Sequence, residues 1–470
     1  MKAILAAPVL SFLATCAFAQ NYSADLARGT VERRALEAVI WGMPVVNYDL
    51  MYQAMVRETK GAFNQIVYWS RLPDWKNQTL TPNPDSIYLM PFINTRVVGP
   101  VVIEIPPADG GSINGTIMNV WQTPLEDVGP AGVDKGKGGK YLILPPGSTF
   151  TASSDYIVLR SQTYEGYALL RSILKSGSDA DIAQATTYGR RIRVYPLSQA
   201  YNPPPTKFVD AVDVVYDSTI PYDVRFFQSL DRVVQQEPWL TRDKAMIDQL
   251  KSIGIEKGKP FSPDQATEGI LNTAAAEAHA LLENRYDALF SGASYFGSSR
   301  WLLPALPDYI KGAGNDYVDA DRYPIDDRGL LFTFAFFTPK HLGQGQFYLM
   351  TIKDKDGKAF DGAATYRLNV PANPPVNLYW SATAYDRATH ALIREMPRAS
   401  RSSQNVGLQK NTDGSVDVYF GPNAPAGKDS NWVPTNPGGQ FEVLFRLYGP
   451  TLPLFDKTWV LPDVEKVAAP

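Results

Sequence analysis

The sequence predicts a mainly β protein with helical inserts, an α+β fold of two sheet domains separated by helices. Three observations lead there. Short runs rich in Val, Ile and Tyr recur between Asn64 and Arg160 and again beyond Arg328. Capped and Ala-rich stretches of helical character lie between them. The 37 Pro and 35 Gly supply the turns that so many short strands require.

Taken in order, the chain opens with Lys2, an apolar run over Ala3–Ala14 and Ala17-Phe18-Ala19 before Gln20. This is the pattern of a secretory signal peptide over residues 1–19, too short to span a membrane. Export to the periplasm or beyond is the expected destination, with lipid anchoring at Cys16 as the rival. Thr15 suits a lipidated cysteine poorly. Cleavage after Ala19 removes the single Cys, so the rest of the chain is stabilised by burial without disulfides. No later run of 18 apolar residues predicts a membrane span.

Residues 20–63 form an expected helical segment. Thr30 is placed as its N-cap, and Ala35, Leu36, Val39, Ile40 and Met43 fall at helical spacing. Pro44 should kink or divide it. Residues 64–164 are expected to form an antiparallel β-sandwich, with strands at Ile87–Ile93, Val101–Ile105, Thr116–Trp121, Tyr141–Leu144 and Tyr156–Arg160. Residues 165–328 are mainly helical: Ser178 and Asp181 open one helix, Pro221 another, and Ser262-Pro263-Asp264-Gln265 a long one to about Leu289, with Ser262 as N-cap. Pro203-Pro204-Pro205 marks an extended linker or domain seam. Residues 329–470 return to strands. Leu330–Phe337 is nearly continuous apolar and is expected as a buried central strand, ahead of Phe347–Lys353, Ala364–Val370, Leu378–Tyr385, Val416–Phe420 and Phe441–Tyr448.

These segments, in this order, resemble a family of bacterial exported proteins built from two domains of unknown function, numbered twelve fifty-four (N-terminal) and twelve fourteen (C-terminal). The first pattern is Thr81-Pro82-Asn83, Asp85 and Tyr88, then Gly99-Pro100-Val101-Val102, Trp121, and Gly138-Gly139-Lys140-Tyr141 before Pro145-Pro146-Gly147. The second is Tyr379-Trp380-Ser381-Ala382-Thr383-Ala384-Tyr385-Asp386, Pro425-Ala426-Gly427, Asn431-Trp432-Val433-Pro434 and Arg446-Leu447-Tyr448-Gly449-Pro450. The resemblance implies an N-terminal immunoglobulin-like sandwich, a helical middle and a C-terminal jelly roll. Ser86 stands where the family commonly has Thr. It implies no reaction and no catalytic residues, and fold alone does not supply them.

Composition excludes several functions. A net charge of −3, with 45 basic and 48 acidic residues well mixed, offers no basic stripe for nucleic acid. No Gly-x-Ser-x-Gly, nucleotide loop or zinc-type His spacing occurs, and His279, His341 and His390 stand apart. Asp354, Asp356, Gly357 and Asp361 lack the spacing and terminal Glu of an EF-hand, so no metal or cofactor is expected.

The stretch Thr81–Gly147 concentrates carboxylates, amides and aromatics. If the protein is an enzyme, Asp85 with Glu126 or Asp127, assisted by Tyr88, would form the carboxylate pair of a metal-independent glycan hydrolase or lyase. Asn83, Trp121, Tyr141, Asn431 and Trp432 are the residues expected to touch a ligand, since aromatic faces stack on sugars and line apolar pockets. The favoured expectation is an exported protein that binds a carbohydrate or small amphipathic ligand in the cell envelope. The alternatives are the glycan enzyme and a structural oligomer. Oligomeric state is not predicted.

Overall fold

The computed structural model describes residues 9–335, 338–341 and 345–467, with side chains from residue 23 onward except residue 24. The side chains of the expected leader, Cys16 included, lie outside these.

The first domain is built on a six-stranded sheet. Its order is Phe208–Asp210, Gln65–Tyr68, Ile87–Asn94, Glu165–Ser172, Ile113–Asn119 and Pro124–Val128. A four-stranded sheet of Arg193–Pro196, Val101–Ile105, Gly139–Leu144 and Tyr156–Arg160 packs against one face of it. Most pairs are antiparallel, but Phe208–Asp210 and Tyr156–Arg160 join as parallel edges. Successive side chains point to opposite faces. Ile87, Leu89 and Ile93 therefore enter the sandwich core, while Tyr88, Met90 and Phe92 enter a second core on the other side. The chain past Pro203-Pro204-Pro205 returns to this sheet, so the prolines join parts of one domain. The Glu165–Ser172 strand, just beyond the expected boundary at 164, lies inside the sheet between Ile87–Asn94 and Ile113–Asn119.

That second core is helical. Helix Val9–Thr59 packs against helices Val224–Gln236, Gln265–Leu289 and Ile325–Phe334. Its expected start at Thr30 is corrected: Thr30 lies inside the helix and its Oγ1 donates back to the Leu26 carbonyl at 2.8 Å. Pro44 does not divide it either. Proline crowds the carbonyl four residues earlier, here Ile40, and removes its donor. Gly329 of the facing helix leaves room for that carbonyl, since a Cβ there would lie 2.7 Å from it. Arg328 Nη2 donates to the Trp41 carbonyl at 2.8 Å, and Gln122 Nε2 to that of Pro44 at 2.9 Å.

Other caps shift by a few residues. Ser178 does cap helix Asp179–Gly189, accepting from the Asp181 amide. Asp223 rather than Pro221 precedes helix Val224–Gln236, and Asp264 rather than Ser262 caps Gln265–Leu289. Leu330–Phe334 of the strand expected over Leu330–Phe337 is instead part of helix Ile325–Phe334, buried from Arg328 to Phe334, and residues 336–337 lie outside the described residues. A short apolar run carries no period of its own, and enclosure on every side suits a helix as well as a strand.

The second sheet domain pairs two layers. One runs Gln346–Thr351, Gln440–Tyr448, Trp380–Asp386 and Ser400–Ser402, with Phe360–Asp361 also on Gln440–Tyr448. The other runs Trp432–Pro434, Val416–Gly421, Thr365–Val370 and Glu465–Val467. Phe441, Val443, Phe445 and Leu447 fill the core between them. The opposite face of the same strand carries Glu442, Leu444, Arg446 and Tyr448 toward the helices and the first domain, where all four are buried. No barrel closes among the described residues, which form a mixed α+β fold of two sheet domains around a helical layer. No helix among the described residues is long and apolar enough to cross a membrane.

Candidate functional site

The loop from Thr81 to Tyr88 fills the seam between the two sheet domains. Pro82 and Pro84 deny the loop two backbone donors, so its side chains hold its shape. Asn83 is fully buried. Its Oδ1 accepts from the Asp85 amide at 3.0 Å, and its Nδ2 donates to Ser86 Oγ at 2.9 Å and to the Tyr448 hydroxyl at 2.6 Å. The Asn83 amide donates to the Tyr88 hydroxyl at 2.8 Å. From the second domain, the Tyr385 hydroxyl donates to the Pro82 carbonyl at 2.6 Å and that of Tyr379 to the Asp85 carbonyl at 3.2 Å. Ser400 Oγ reaches Asp85 Oδ1 at 3.1 Å. From the helical layer, the Phe334 carbonyl accepts from Thr81 Oγ1 at 2.7 Å.

Beside this loop lies a cavity of about 130 Å³. Leu303, Pro304, Ala305, Ile310, Leu331, Phe334, Phe347, Met350 and Leu444 give it mostly apolar walls. Thr81, Arg171, Gln346, Tyr348 and Arg446 make its polar side, and His341 also touches it. Residues from both sheet domains and from the helical layer thus share one cavity. Arg171 donates to Gln346 Oε1 at 2.9 Å and to the Tyr348 hydroxyl at 3.3 Å, and its guanidinium lies 5.5 Å from the Tyr88 ring centre. Strand register sets Arg446 beside Tyr348 on one neighbour and Ser381 on the other. Arg446 donates to Thr383 Oγ1 at 3.0 Å, the Thr81 carbonyl at 2.9 Å and the Tyr385 hydroxyl at 2.5 Å. It is 1% exposed, and its Nε has no partner among the described residues.

The expected site residues divide. Asn83, Asp85 and Tyr88 meet in the seam. Burial raises the Asp85 carboxyl above its ordinary range, opposed by the Ser400 hydrogen bond and the Arg446 charge. Glu126 and Asp127 sit on the edge strand of the first sheet. Glu126 pairs with Lys340 Nζ at 3.0 Å. Asp127 accepts from Thr116 Oγ1 at 2.7 Å and from the Lys340 and His341 amides at 2.9 and 2.8 Å, with His341 Nδ1 at 3.1 Å. These two acids anchor residues 340–341, and Asp85 has a separate set of partners. Trp121 packs on Trp41 at 4.7 Å between ring centres, with the Arg328 guanidinium 5.3 Å from its own. Tyr141 donates to Asp134 Oδ2 at 2.7 Å within the first domain. Asn431, at the end of the turn Asp429–Asn431, ties the Gln409 and Asp417 carbonyls, each at 2.8 Å, and Trp432, which opens an edge strand of the outer sheet of the second domain, donates through Nε1 to the Gly421 carbonyl at 2.8 Å.

Arg171, Gln346, Tyr348 and Arg446 were not among the expected residues. A signal for two of them was present. Arg171 follows Tyr167-Ala168-Leu169-Leu170, and Arg446 follows Phe441–Phe445. Arginine is almost never fully buried unless paired, so one that follows a largely apolar run marks a position to inspect.

These features define a protein of two sheet domains sharing a seam and a cavity. The model for "Protein of unknown function (DUF1254)" matches residues 63–196, and that for "Protein of unknown function (DUF1214)" matches residues 345–452. The chain belongs with the proteins that carry these two domains in this order. Among solved structures it is similar to the VPA0106 protein from Vibrio parahaemolyticus, at 19% identity and a TM-score of 0.55, covering 93% of this chain and 100% of that one. A putative uncharacterized protein from Burkholderia cenocepacia also aligns, at 12% identity and a TM-score of 0.40, over 97% and 98% of the two chains. The first likeness is one of fold. Nothing among curated proteins matches the sequence.

Proposed function

We propose that this protein binds a small amphipathic molecule in the cavity between its sheet domains, and that it does so after export. The supporting observation is a single chamber with apolar walls from three parts of the chain and a cluster of polar groups on one side, among them the buried Arg171 and Arg446. Ligand sites commonly combine mostly apolar walls with a few placed polar groups. The size suits a ring or a short chain: an engineered cavity of roughly 150 Å³ accepts benzene. The glycan reading has weaker support, because Trp121 and Tyr141, expected to stack on sugars, are buried against protein. The carboxylate-pair enzyme has weaker support too, because Asp85 and Asp127 have separate partners.

The test is a thermal-shift screen of the full chain with six- to eight-carbon aromatic and aliphatic compounds, neutral and charged, beside oligosaccharides. A ligand at a hundred times its Kd should add about 2.7 kcal/mol of stability. Ala305→Phe, which fills the cavity, should abolish the shift. Stabilisation by oligosaccharides alone, or an unchanged shift in Ala305→Phe, would overturn the proposal.

A further inference from the structure

We infer that the head group of this ligand is a carboxylate, received at Arg446 with Tyr348 beside it. The inference rests on the cavity being a ligand site. It starts from the charge of Arg446, which is fully buried and lines the cavity. A guanidinium stays charged at any ordinary pH, so burial cannot be relieved by losing a proton. Buried charges are normally matched by an opposite charge. Arg446 has no carboxylate within ion-pair distance among the described residues. Its Nη groups donate to a hydroxyl of Thr383, a hydroxyl of Tyr385 and the Thr81 carbonyl, which satisfy hydrogen bonds but carry no net charge. The carboxyl of Asp85, which feels its charge, makes no ion pair with it and is held by Ser400 instead. The ring centres of Tyr348 and Tyr385, 5.3 and 5.6 Å from the guanidinium, offer it π-faces. Nε remains without a partner.

Arg171 brings a second cation to the same cavity, and no Asp or Glu lines it among the described residues. Apart from Thr81, Thr338, His341, Gln346 and Tyr348, the rest of the wall is apolar. A planar monoanion on a ring or short alkyl chain meets both halves: its charge faces Arg446, and its tail packs against Leu331, Phe334 and Leu444. Charge-assisted hydrogen bonds to arginine are about twice as strong as neutral ones, and more so where water is excluded.

The experiment compares isosteric pairs by calorimetry on the intact protein: benzoate with benzamide, and hexanoate with hexanamide. The acids should bind roughly ten- to a hundredfold more tightly than the amides. That preference should weaken as pH falls through the pKa of the acid itself. Arg446→Gln should erase it, while Arg446→Lys should keep part of it. Equal binding of acids and amides would overturn the carboxylate assignment and leave the cavity as a ligand site. Binding by neither member of either pair would overturn both. The comparison on the unsubstituted protein stands even if Arg446→Gln does not fold.

Discussion

Asn83 Nδ2 lies 2.6 Å from the Tyr448 hydroxyl, joining residues 365 positions apart in the chain. The Tyr448 ring stacks on Tyr379 at 4.3 Å with an interplanar angle of 12°, and the Asn83 amide nitrogen is also 3.4 Å from the Tyr379 hydroxyl. One side chain therefore shapes its own loop and fastens the first domain to the second.

Asn83→Ala should destabilise the protein by roughly 2–4 kcal/mol, because it takes a partner from the Asp85 amide and from the buried hydroxyls of Ser86, Tyr379 and Tyr448. Urea denaturation followed by near-UV circular dichroism checks this. A change below about 0.5 kcal/mol would mean the seam is held elsewhere.

Glu165 and Glu237 make stability fall with rising pH. Burial first, then the charges of Glu237 and Asp49, raise Glu165 from 4.5 to about 8, and burial raises Glu237 to about 7. The native state thus holds protons that the unfolded chain releases, so stability declines as pH rises from about 4.5 through about 8. Glu165→Gln should raise the melting temperature at pH 8.5 and change it little at pH 5. Equal shifts at both values would count against the linkage.

His390 behaves in another window. Burial favours its neutral form, but Glu442 at 2.9 Å and Glu283 at 3.4 Å reverse that and raise it from 6.5 to about 9. Its contribution is complete below about 6.5 and is lost as pH rises through about 9. Glu442, fully buried, also accepts from the Tyr286 hydroxyl at 2.7 Å, while Arg387 Nη1 holds Glu283 at 2.6 Å. His390→Ala should cost about 3–5 kcal/mol at pH 7, and clearly less at pH 10. An NMR titration placing the His390 midpoint below 7 would contradict this.

Gly329→Ala tests the close helix crossing at Pro44. The added methyl would meet the Ile40 carbonyl oxygen at 2.7 Å and Ile40 Cγ2 at 2.9 Å. Separation of the two backbones should cost about 1–3 kcal/mol despite the better helix propensity of Ala. A stabilised variant in chemical denaturation would show that the crossing yields freely.

Strand positions were legible wherever alternation or turn residues marked them. Val101–Ile105 and Tyr156–Arg160 match their expected bounds, and Val416–Gly421 differs by one residue. Leu330–Phe334 was not legible, because an apolar run enclosed on all sides has no solvent face to print a period. Thr30 was misplaced because a hydroxyl that bonds back to the carbonyl four residues earlier can be tolerated in a helix interior as well as at a cap. Within the site, Asn83 stood out as a polar residue between Pro82 and Pro84, and Asp85 as the acid that follows them. Trp380-Ser381-Ala382-Thr383-Ala384-Tyr385 carried a further clue: its even-numbered residues fill the domain core, and Ser381, Thr383 and Tyr385 are buried on the other face.

The sequence by itself determined where many of the strands and helices lie and that two sheet domains follow one another, because those depend on period, turn chemistry and local hydrogen bonding. Only the tertiary structure decided that Thr81–Tyr88 meets Tyr379, Tyr385, Arg446 and Tyr448, and that Arg171 and Arg446 converge on one cavity. Those meetings depend on which face of each strand turns toward the seam and on how two sheets and a helical layer stack. Contacts between residues hundreds of positions apart leave no local trace in the chain.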